Sequence, residues 1–272
     1  MQASYRWTPP QGTLGRIVAE AHARAALMRD RGAELAGELR GVPPAPSLAT
    51  ALRARHVAVL AEVKRRSPSK GAIAPSLDAV GQAAAYRAGG AAAVSILTEP
   101  VHFGGSPDDL VAVRSSVGLP ILKKDFHVDV IQLVEARVLG ASAALLIARA
   151  LPPERLIALV DEGRALGLEL LVEIRDEDEL ETAIRSGASM IGVNNRNLET
   201  LEIDPATSER LIPRIPSDRV AIAESGVQGR ADVERFAALG SDAVLVGSVL
   251  SAAADPAAAV RALASVNRRA RG

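Results

Sequence analysis

A carboxylate and an ammonium group lie two positions apart at the end of one apolar run of the sequence. The run covers residues 57–63, and Glu62 and Lys64 lead from it into a basic, proline-containing loop that extends to Gly71. Side chains two residues apart in a strand point the same way, so these two groups are expected on one face. In a partly dry cleft such a pair can perform acid/base chemistry, whereas at a solvated strand end it is a structural ion pair.

Polar residues also follow five other apolar runs, always at the same end of the run. They are Lys123-Lys124-Asp125, Glu173, Asn194-Asn195-Arg196, Glu224-Ser225-Gly226 and Gly247-Ser248. The opposite ends carry mostly Gly, Ala and Leu. Charge that served only solubility would be spread over both ends. The asymmetry therefore favours a catalytic site built from the carboxyl ends of several strands.

Eight short apolar runs alternate with longer segments of helical periodicity. The runs are residues 57–63, 92–97, 119–122, 143–147, 168–174, 190–193, 220–223 and 243–246. Between them, segments such as 129–139, 152–166 and 178–185 have the apolar spacing of amphipathic helices. This alternation predicts an α/β fold, and eight parallel units predict a (β/α)8 TIM barrel.

A glycine-led repeat supports the count of eight strands. Gly90, Gly140, Gly187 and Gly240 recur at intervals of 50, 47 and 53 residues, each shortly before an apolar run. A glycine that ends a helix and leads into a strand is typical at such positions. Two βα units per repeat correspond to a quarter of the barrel.

Residues 1–56 do not follow the βα pattern. Their apolar residues with roughly helical spacing are Leu14, Ile17, Val18, Ala21, Leu27, Met28, Leu35 and Leu39. They predict one or two helices, and the proline-rich residues 41–46 predict a stiff connector. We expect an N-terminal helical extension over 1–56, packed on a barrel catalytic domain over 57–272.

Composition excludes several classes of protein. Lys+Arg and Asp+Glu both number 32 and there is no Cys. The balanced charge argues against nucleic-acid and membrane partners, and the absence of Cys excludes disulfides and thiolate nucleophiles. The four His residues lack metal-ligand spacing, so we expect no metal. Since no segment has the pattern of a membrane span or a secretion signal, we expect a cytoplasmic protein.

Small residues follow the seventh and eighth runs, at Ser225-Gly226 and Gly247-Ser248. The loops after these two strands commonly bind phosphate in TIM barrels, because small residues let backbone N–H groups approach an anion. Each pair alone is an ordinary turn signal. Together they favour a phosphorylated substrate.

Two of the three Phe residues, Phe103 and Phe126, follow the second and third runs. Phe usually fills a core. At a barrel mouth these rings, with Leu145 and Leu198, could instead form the wall for an aromatic substrate.

With these residues in place, the sequence resembles the indole-3-glycerol phosphate synthase family. The resemblance rests on residues 62–71 (EVKRRSPSKG), 97–100 (LTEP) with 103–106 (FGGS), 122–126 (LKKDF), 171–173 (LVE), 191–198 (IGVNNRNL) and 223–226 (AESG). These motifs run in family order, and jointly they are highly specific. One departure is Leu48, which stands where the family commonly has Phe.

The resemblance implies decarboxylation and ring closure of 1-(2-carboxyphenylamino)-1-deoxyribulose 5-phosphate, without metal or organic cofactor. Lys124 matches the general acid and Glu173 the acid/base of the dehydration. Glu62 and Asn194 match residues that assist Glu173, and Lys64 matches the lysine at the substrate carboxylate.

The remaining site residues are implied in the same way. Ser225 is grouped with the catalytic residues and also matches a substrate-binding position. The implied substrate-binding residues are Ser67, Phe103, Phe126, Leu145, Arg196 and Leu198. The implied phosphate cradle is Gly226, Gly247 and Ser248.

Other functions remain open from the residues alone. Phosphoribosylanthranilate isomerase and the tryptophan synthase α chain are also phosphate-binding barrels, although the isomerase relies on a Cys base. A non-catalytic binder of phosphate-sugars or nucleic acid would use Lys64, Arg65, Arg66 and Lys70, but it would not need inward-facing carboxylates. For an enzyme we expect the basic loop to act as a flap, and the chain to be a monomer or weak homo-oligomer.

Overall fold

Eight parallel strands close into one barrel in the computed structural model, which describes residues 7–271. The strands are β1 Ala58–Val63, β2 Ala93–Leu97, β3 Ile121–Lys124, β4 Ala143–Ile147, β5 Glu169–Ile174, β6 Met190–Asn194, β7 Val220–Glu224 and β8 Ala243–Val246. Each strand pairs with the next one in the sequence, and β8 closes the barrel by pairing with β1 at Val59 and Val244. The predicted TIM barrel is confirmed.

Three helices of the described chain precede β1, and the remaining helices follow the strands around the outside of the barrel. The helices are α1 Gly12–Met28, α2 Gly32–Leu39, α3 Leu48–Leu52, α4 Ala79–Gly89, α5 Pro107–Val117, α6 Val130–Val138, α7 Pro153–Ala165, α8 Glu177–Arg185, α9 Ala206–Leu211, α10 Arg230–Ala238, α11 Ser248–Ser251 and α12 Pro256–Leu263. The repeat glycines have φ of 93° (Gly90), 86° (Gly140), 73° (Gly187) and 92° (Gly240). This left-handed conformation suits glycine, so the predicted helix-to-strand turns are confirmed. Within residues 7–271 no helix is long and apolar enough to cross a membrane.

The N-terminal segment holds three helices among its described residues, one more than the spacing predicted. The additional helix, α3, has five residues and is too short to show a period. It is capped by Ser47, whose hydroxyl accepts the N–H of Thr50 at 3.0 Å, and it buries Leu48 and Leu52. Ser47 also donates to Glu169 at the start of β5, so α3 covers the N-terminal end of the barrel.

The apolar stripe of α1 differs from the prediction at one position. Leu27 is 73% exposed, and Ala25 is buried instead. Ala25 continues the i, i+4 row from Ala21, whereas Leu27 lies on the opposite side of the helix. A leucine at a helical interval is therefore weaker evidence of burial than an unbroken row.

The carboxyl end of β1 is fixed from the helix layer. Tyr86 of α4 is fully buried, and its O–H donates to the Glu62 carbonyl at 3.1 Å. Ser251 donates to the same carbonyl at 3.1 Å and accepts the N–H of Lys64 at 3.1 Å. Burial raises the pKa of Tyr86 to about 12, so the phenol keeps its proton at neutral pH. These bonds set the backbone from which Glu62 and Lys64 project.

We expect Tyr86→Phe to lower the free energy of unfolding by about 0.5–1.5 kcal/mol, because one buried hydrogen bond is lost while Ser251 still satisfies the carbonyl. Urea unfolding measures this change. A stability equal to that of the parent protein would contradict the assignment of the bond.

Candidate active site

A single cleft opens at the carboxyl ends of the barrel strands and brings together the site residues predicted from the sequence. Those that line it are Glu62, Lys64, Ser67, Phe103, Lys124, Phe126, Leu145, Glu173, Asn194, Arg196, Leu198, Ser225, Gly226, Gly247 and Ser248. The cleft is also lined by Thr13, Leu14 and Ile17 from α1, which sequence reasoning did not include. The helical spacing of Leu14 and Ile17 indicated their burial but not which surface they would cover, and Thr13 was not part of that pattern.

The ammonium group of Lys124 lies between two carboxyl groups. Its Nζ is 3.2 Å from Glu173 Oε2 and 3.1 Å from Glu224 Oε2. The Lys124 side chain is 14% exposed, so its charge reaches the cleft. Burial alone would lower the pKa of Lys124, but Glu224, Glu173 and Glu62 outweigh it and raise the pKa. Lys124 is consequently a charged proton donor at neutral pH.

Glu224 is the main residue of this cluster that sequence reasoning left without a role. It ends β7 and is 1% exposed. Burial, with a further contribution from Glu173, raises its pKa to about 8 although Lys124 opposes the rise. A Cβ at position 192 would collide with Glu224 Oε1, so Gly192 on β6 is what leaves room for this carboxylate. The sequence offered one signal for this role: Glu224 lies two residues after Ile222 in the same apolar run, so the two side chains point to the same side of the strand.

Glu62 and Lys64 form the ion pair expected at the end of β1. Glu62 is 1% exposed, and its Oε2 has no hydrogen-bond partner among the described residues. A side chain at Gly247 would collide with Glu62 Oε1, so the end of β8 is kept open for the pair. The pair thus presents a buried acceptor and a partly exposed ammonium to the cleft.

Asn194 orients Glu173 from the neighbouring strand. Its Nδ2 donates to Glu173 Oε1 at 2.9 Å, while Glu173 Oε2 receives Lys124. The Asn194 side-chain oxygen accepts the N–H of Arg196 at 2.9 Å. Arg196 donates to the Leu201 carbonyl at 2.7 Å, and the half-buried guanidinium has no carboxylate partner among residues 7–271. It is available to an anionic ligand.

The apolar wall of the cleft is built mainly from two rings. The Phe103 and Phe126 centroids are 6.1 Å apart, a distance typical of interacting aromatic pairs. Leu145 and Leu198 line the same cleft. Phe103 belongs to a loop tied to Glu99, whose Oε2 accepts the Phe103 N–H at 3.0 Å.

Small residues form the part of the cleft next to β7 and β8. Ser225 has φ of 64° and Gly226 has φ of 90°, so the chain turns sharply away from β7. Gly247 and Ser248 make the corresponding turn after β8, the neighbouring strand. These adjacent turns leave an uncrowded polar corner, as a phosphate cradle requires.

The basic loop after β1 is a short hairpin that pairs Arg66–Ser67 with Gly71–Ala72. The guanidinium of Arg65 is already engaged within the fold and is not free to bind a ligand. It donates to Asp109 Oδ1 of α5 at 2.9 Å and to the Leu77 carbonyl. A non-catalytic binder that uses Arg65 is therefore disfavoured by its engagement within the fold.

Among residues 7–271, one group of side chains outside the cleft consists of metal-ligand types. Ligand atoms of Glu20, Glu99 and His102 lie within 4.8 Å of one another. The Glu99 oxygens already accept the N–H groups of Val101 at 3.0 Å and His102 at 2.7 Å, and Arg24 lies 3.6 Å away. These contacts make the group an anchor for the loop after β2.

The fold is that of a (β/α)8 barrel, and its cleft holds buried lysine and glutamate side chains at the carboxyl ends of the strands. The family model described as indole-3-glycerol phosphate synthase matches residues 14–263. The chain belongs to this family of carboxy-lyases, which acts in tryptophan biosynthesis.

Relatives named as indole-3-glycerol phosphate synthases match the chain over most of its length. The chain is 46% identical over 254 residues to indole-3-glycerol phosphate synthase 2 of Streptomyces coelicolor, covering 93% of this chain and 98% of the relative. It is 51% identical over 234 residues to indole-3-glycerol phosphate synthase of a Nocardioides species, covering 86% and 90%. Among solved structures, 3-hexulose-6-phosphate synthase from Salmonella typhimurium matches with a TM-score of 0.60 at 15% identity, over 76% of this chain and 97% of that one. This last similarity shows the fold alone.

The raised pKa of Glu224 predicts how stability depends on pH. In the unfolded chain a Glu has a pKa of about 4.3, so from there to about 8 the folded state holds a proton that the unfolded state has lost. Stability contributed by this group must fall as pH rises through that window. Glu224→Gln should therefore gain stability relative to the parent protein between pH 5 and 8, measured by urea unfolding.

Glu181→Gln is the matched control, because Glu181 lies on the exposed surface of α8. A Glu224→Gln difference that is flat or decreasing with pH would show that Glu224 is ionised in the folded protein.

Proposed function

We propose that this cleft converts 1-(2-carboxyphenylamino)-1-deoxyribulose 5-phosphate into indole-3-glycerol phosphate, carbon dioxide and water, with Lys124 as the general acid. The observation that carries the proposal is the Lys124 ammonium fixed between Glu173 and Glu224 on the cleft floor. Ring closure builds charge on the ribulose C2 oxygen, which an oriented ammonium stabilises and protonates.

Dehydration then needs both an acid and a base. The C2 oxygen must receive two protons to leave as water, and one proton must leave the neighbouring C1 carbon. Glu173 is placed to take the C1 proton, because Asn194 holds one of its oxygens and the other faces Lys124. The proton taken by Glu173 can pass back to Lys124 across 3.2 Å, and the second proton that Lys124 delivers is replaced from solvent water.

Glu224 extends this set beyond the residues implied by the family motifs. Its Oε1 is buried without a hydrogen-bond partner among the described residues, as is Glu62 Oε2. Buried polar atoms without a partner gain from hydrogen bonds to the hydroxyls of a bound sugar chain. We assign Glu224 to holding Lys124 and to binding a ribulose hydroxyl, and Glu62 to holding Lys64 near the substrate carboxylate.

The two ends of the substrate are matched by different parts of the cleft. Phe103, Phe126, Leu145 and Leu198 offer an apolar wall for the carboxyphenyl ring, which an open-chain phosphosugar alone would not need. Ser225, Gly226, Gly247 and Ser248 form the phosphate corner, and Arg196 and Ser67 complete the substrate contacts.

The segment 1–56 serves as an extension that covers the barrel domain 57–272, since α1 contributes Thr13, Leu14 and Ile17 to the cleft. We also propose a cytoplasmic enzyme that acts as a monomer or weak homo-oligomer on a phosphorylated small molecule, without a nucleic-acid partner.

We expect Lys124→Ala to lower kcat by about 10²–10⁴-fold with the fold retained, because the proton donor is lost. Indole absorbance in the ultraviolet measures product formation from the carboxyphenylamino substrate, and circular dichroism checks the fold. Near-normal turnover in this variant would remove Lys124 from the mechanism.

Inorganic phosphate should raise the apparent KM of the substrate without lowering kcat, because both compete for the phosphate corner. Ser248→Asp places a carboxylate there and should raise both the KM of the substrate and the inhibition constant of phosphate. Ser115→Asp, on the exposed surface of α5, is the matched control and should leave the competition unchanged. Absence of competition in the parent protein at high phosphate would place the phosphate site elsewhere.

A further inference from the structure

Lys123, directly before Lys124, is a buried charge that the proposed mechanism does not use. Alternation along β3 sends the two lysines to opposite faces, so Lys124 enters the barrel and Lys123 faces the helix layer. Lys123 is 1% exposed. A buried ammonium is costly unless it is fully paired.

The Lys123 ammonium has three donors and three acceptors around it. Its Nζ lies 2.9 Å from Glu135 Oε2 of α6, 3.4 Å from His127 Nε2 and 3.8 Å from Asp125 Oδ2. His127 Nδ1 is 2.7 Å from the Leu145 carbonyl and therefore carries the proton, leaving Nε2 as the acceptor for Lys123. Burial, together with Lys123, lowers the pKa of His127 to about 3, which agrees with a neutral ring.

Lys123, Asp125, His127 and Glu135 form a cluster whose hydrogen bonds fix the chain on both sides of Phe126. On one side, Asp125 accepts the Phe126 N–H at 2.8 Å and the Thr98 hydroxyl at 2.7 Å. On the other side, His127 is held between Lys123 and the Leu145 carbonyl. Phe126 consequently has little freedom to move, and both Phe126 and Leu145 line the cleft.

The same cluster receives a contact from the N-terminal extension. Arg24 of α1 donates to Asp125 at 2.9 Å. Since α1 also contributes Leu14 and Ile17 to the cleft, the helix that covers the cleft and the loop that carries Phe126 share one anchor. An anchor that served stability alone could be apolar at similar or lower cost.

We propose that Lys123 is a positioning residue that, from the back of β3, holds the Phe126 ring in place against the aromatic part of the substrate. The inference rests on the proposed function in one respect, the role of Phe126 as part of the substrate wall. It adds a residue outside the cleft that acts only through that wall.

The test is a double-mutant cycle with steady-state kinetics on the full chain. Lys123→Met is combined with Glu135→Gln, so that no carboxylate of α6 is left unpaired. We expect KM to rise about tenfold with kcat within about threefold of the parent value, because a binding wall acts equally in ground and transition states. When Phe126→Ala is already present, the added change should alter KM by less than about twofold, because the interaction through Phe126 is already lost.

Arg271→Met is the matched control. Arg271 is also a buried cation, with 3% of its side chain exposed and Asp242 as its partner at 2.7 Å, but it lies at the N-terminal end of the barrel. It should change the melting temperature and leave KM unchanged. A merely structural role for Lys123 would give the same pattern in both variants.

His127→Asn provides a second route if the charge-removing variant is poorly folded. The Asn amide can still donate to the Leu145 carbonyl, but it has no atom at the position of Nε2 to accept from Lys123, so KM should rise and be non-additive with Phe126→Ala. Unchanged KM in folded variants, or additive effects, would overturn the proposal. If Phe126→Ala alone leaves KM unchanged, the wall itself is wrong, and that result is distinct from a failure of Lys123 to act through it.

Discussion

One ammonium group held between two buried carboxyl groups is the interaction on which the rest of this site depends. Lys124 is charged because the carboxyl groups of Glu173 and Glu224 accept hydrogen bonds from it, and Glu224 tolerates burial because its raised pKa lets it keep a proton at neutral pH. Such a cluster needs strands that are far apart in sequence to deliver their last residues to one point. The closed barrel does this, because β3, β5 and β7 all end at the same mouth.

The barrel wall also separates two kinds of charge. On β3, Lys124 reaches into the cleft, while Lys123 binds Glu135 and His127 behind the strand. Burial alone therefore does not mark a catalytic lysine here. The distinguishing property is the side of the strand, and glycines at 192 and 247 leave space on the inner side for Glu224 and Glu62.

Patterns that repeat along the chain made the barrel and most of the cleft predictable. Strands of a parallel barrel are buried on both faces, so they are near-continuous apolar runs, and the helix-ending glycines mark their approach. Since every strand ends at the same mouth, the residues after each run were expected to meet there. Glu62, Lys124, Glu173 and Asn194 lie in one cleft for this reason.

What the sequence left undetermined depends on contacts between distant segments. The role of Glu224 follows from its 3.1 Å contact with Lys124, and the engagement of Arg65 follows from its bond to Asp109. Helix α3 was missed because five residues show no period, and its burial comes from contact with the barrel end. Residues Leu14 and Ile17 were expected to be buried, but only packing decides that they cover the cleft.

The charge state of Lys124 can be measured directly, because the sequence contains only four lysines, at positions 64, 70, 123 and 124. Lysine labelled with ¹⁵N at Nζ would give few signals, and single substitutions would assign them. Our account predicts that the Lys124 signal remains that of an ammonium at pH of about 10.4, where half of an unperturbed lysine is neutral, and that Glu224→Gln lowers its pKa. Loss of the Lys124 proton near neutral pH in the parent protein would contradict the central claim.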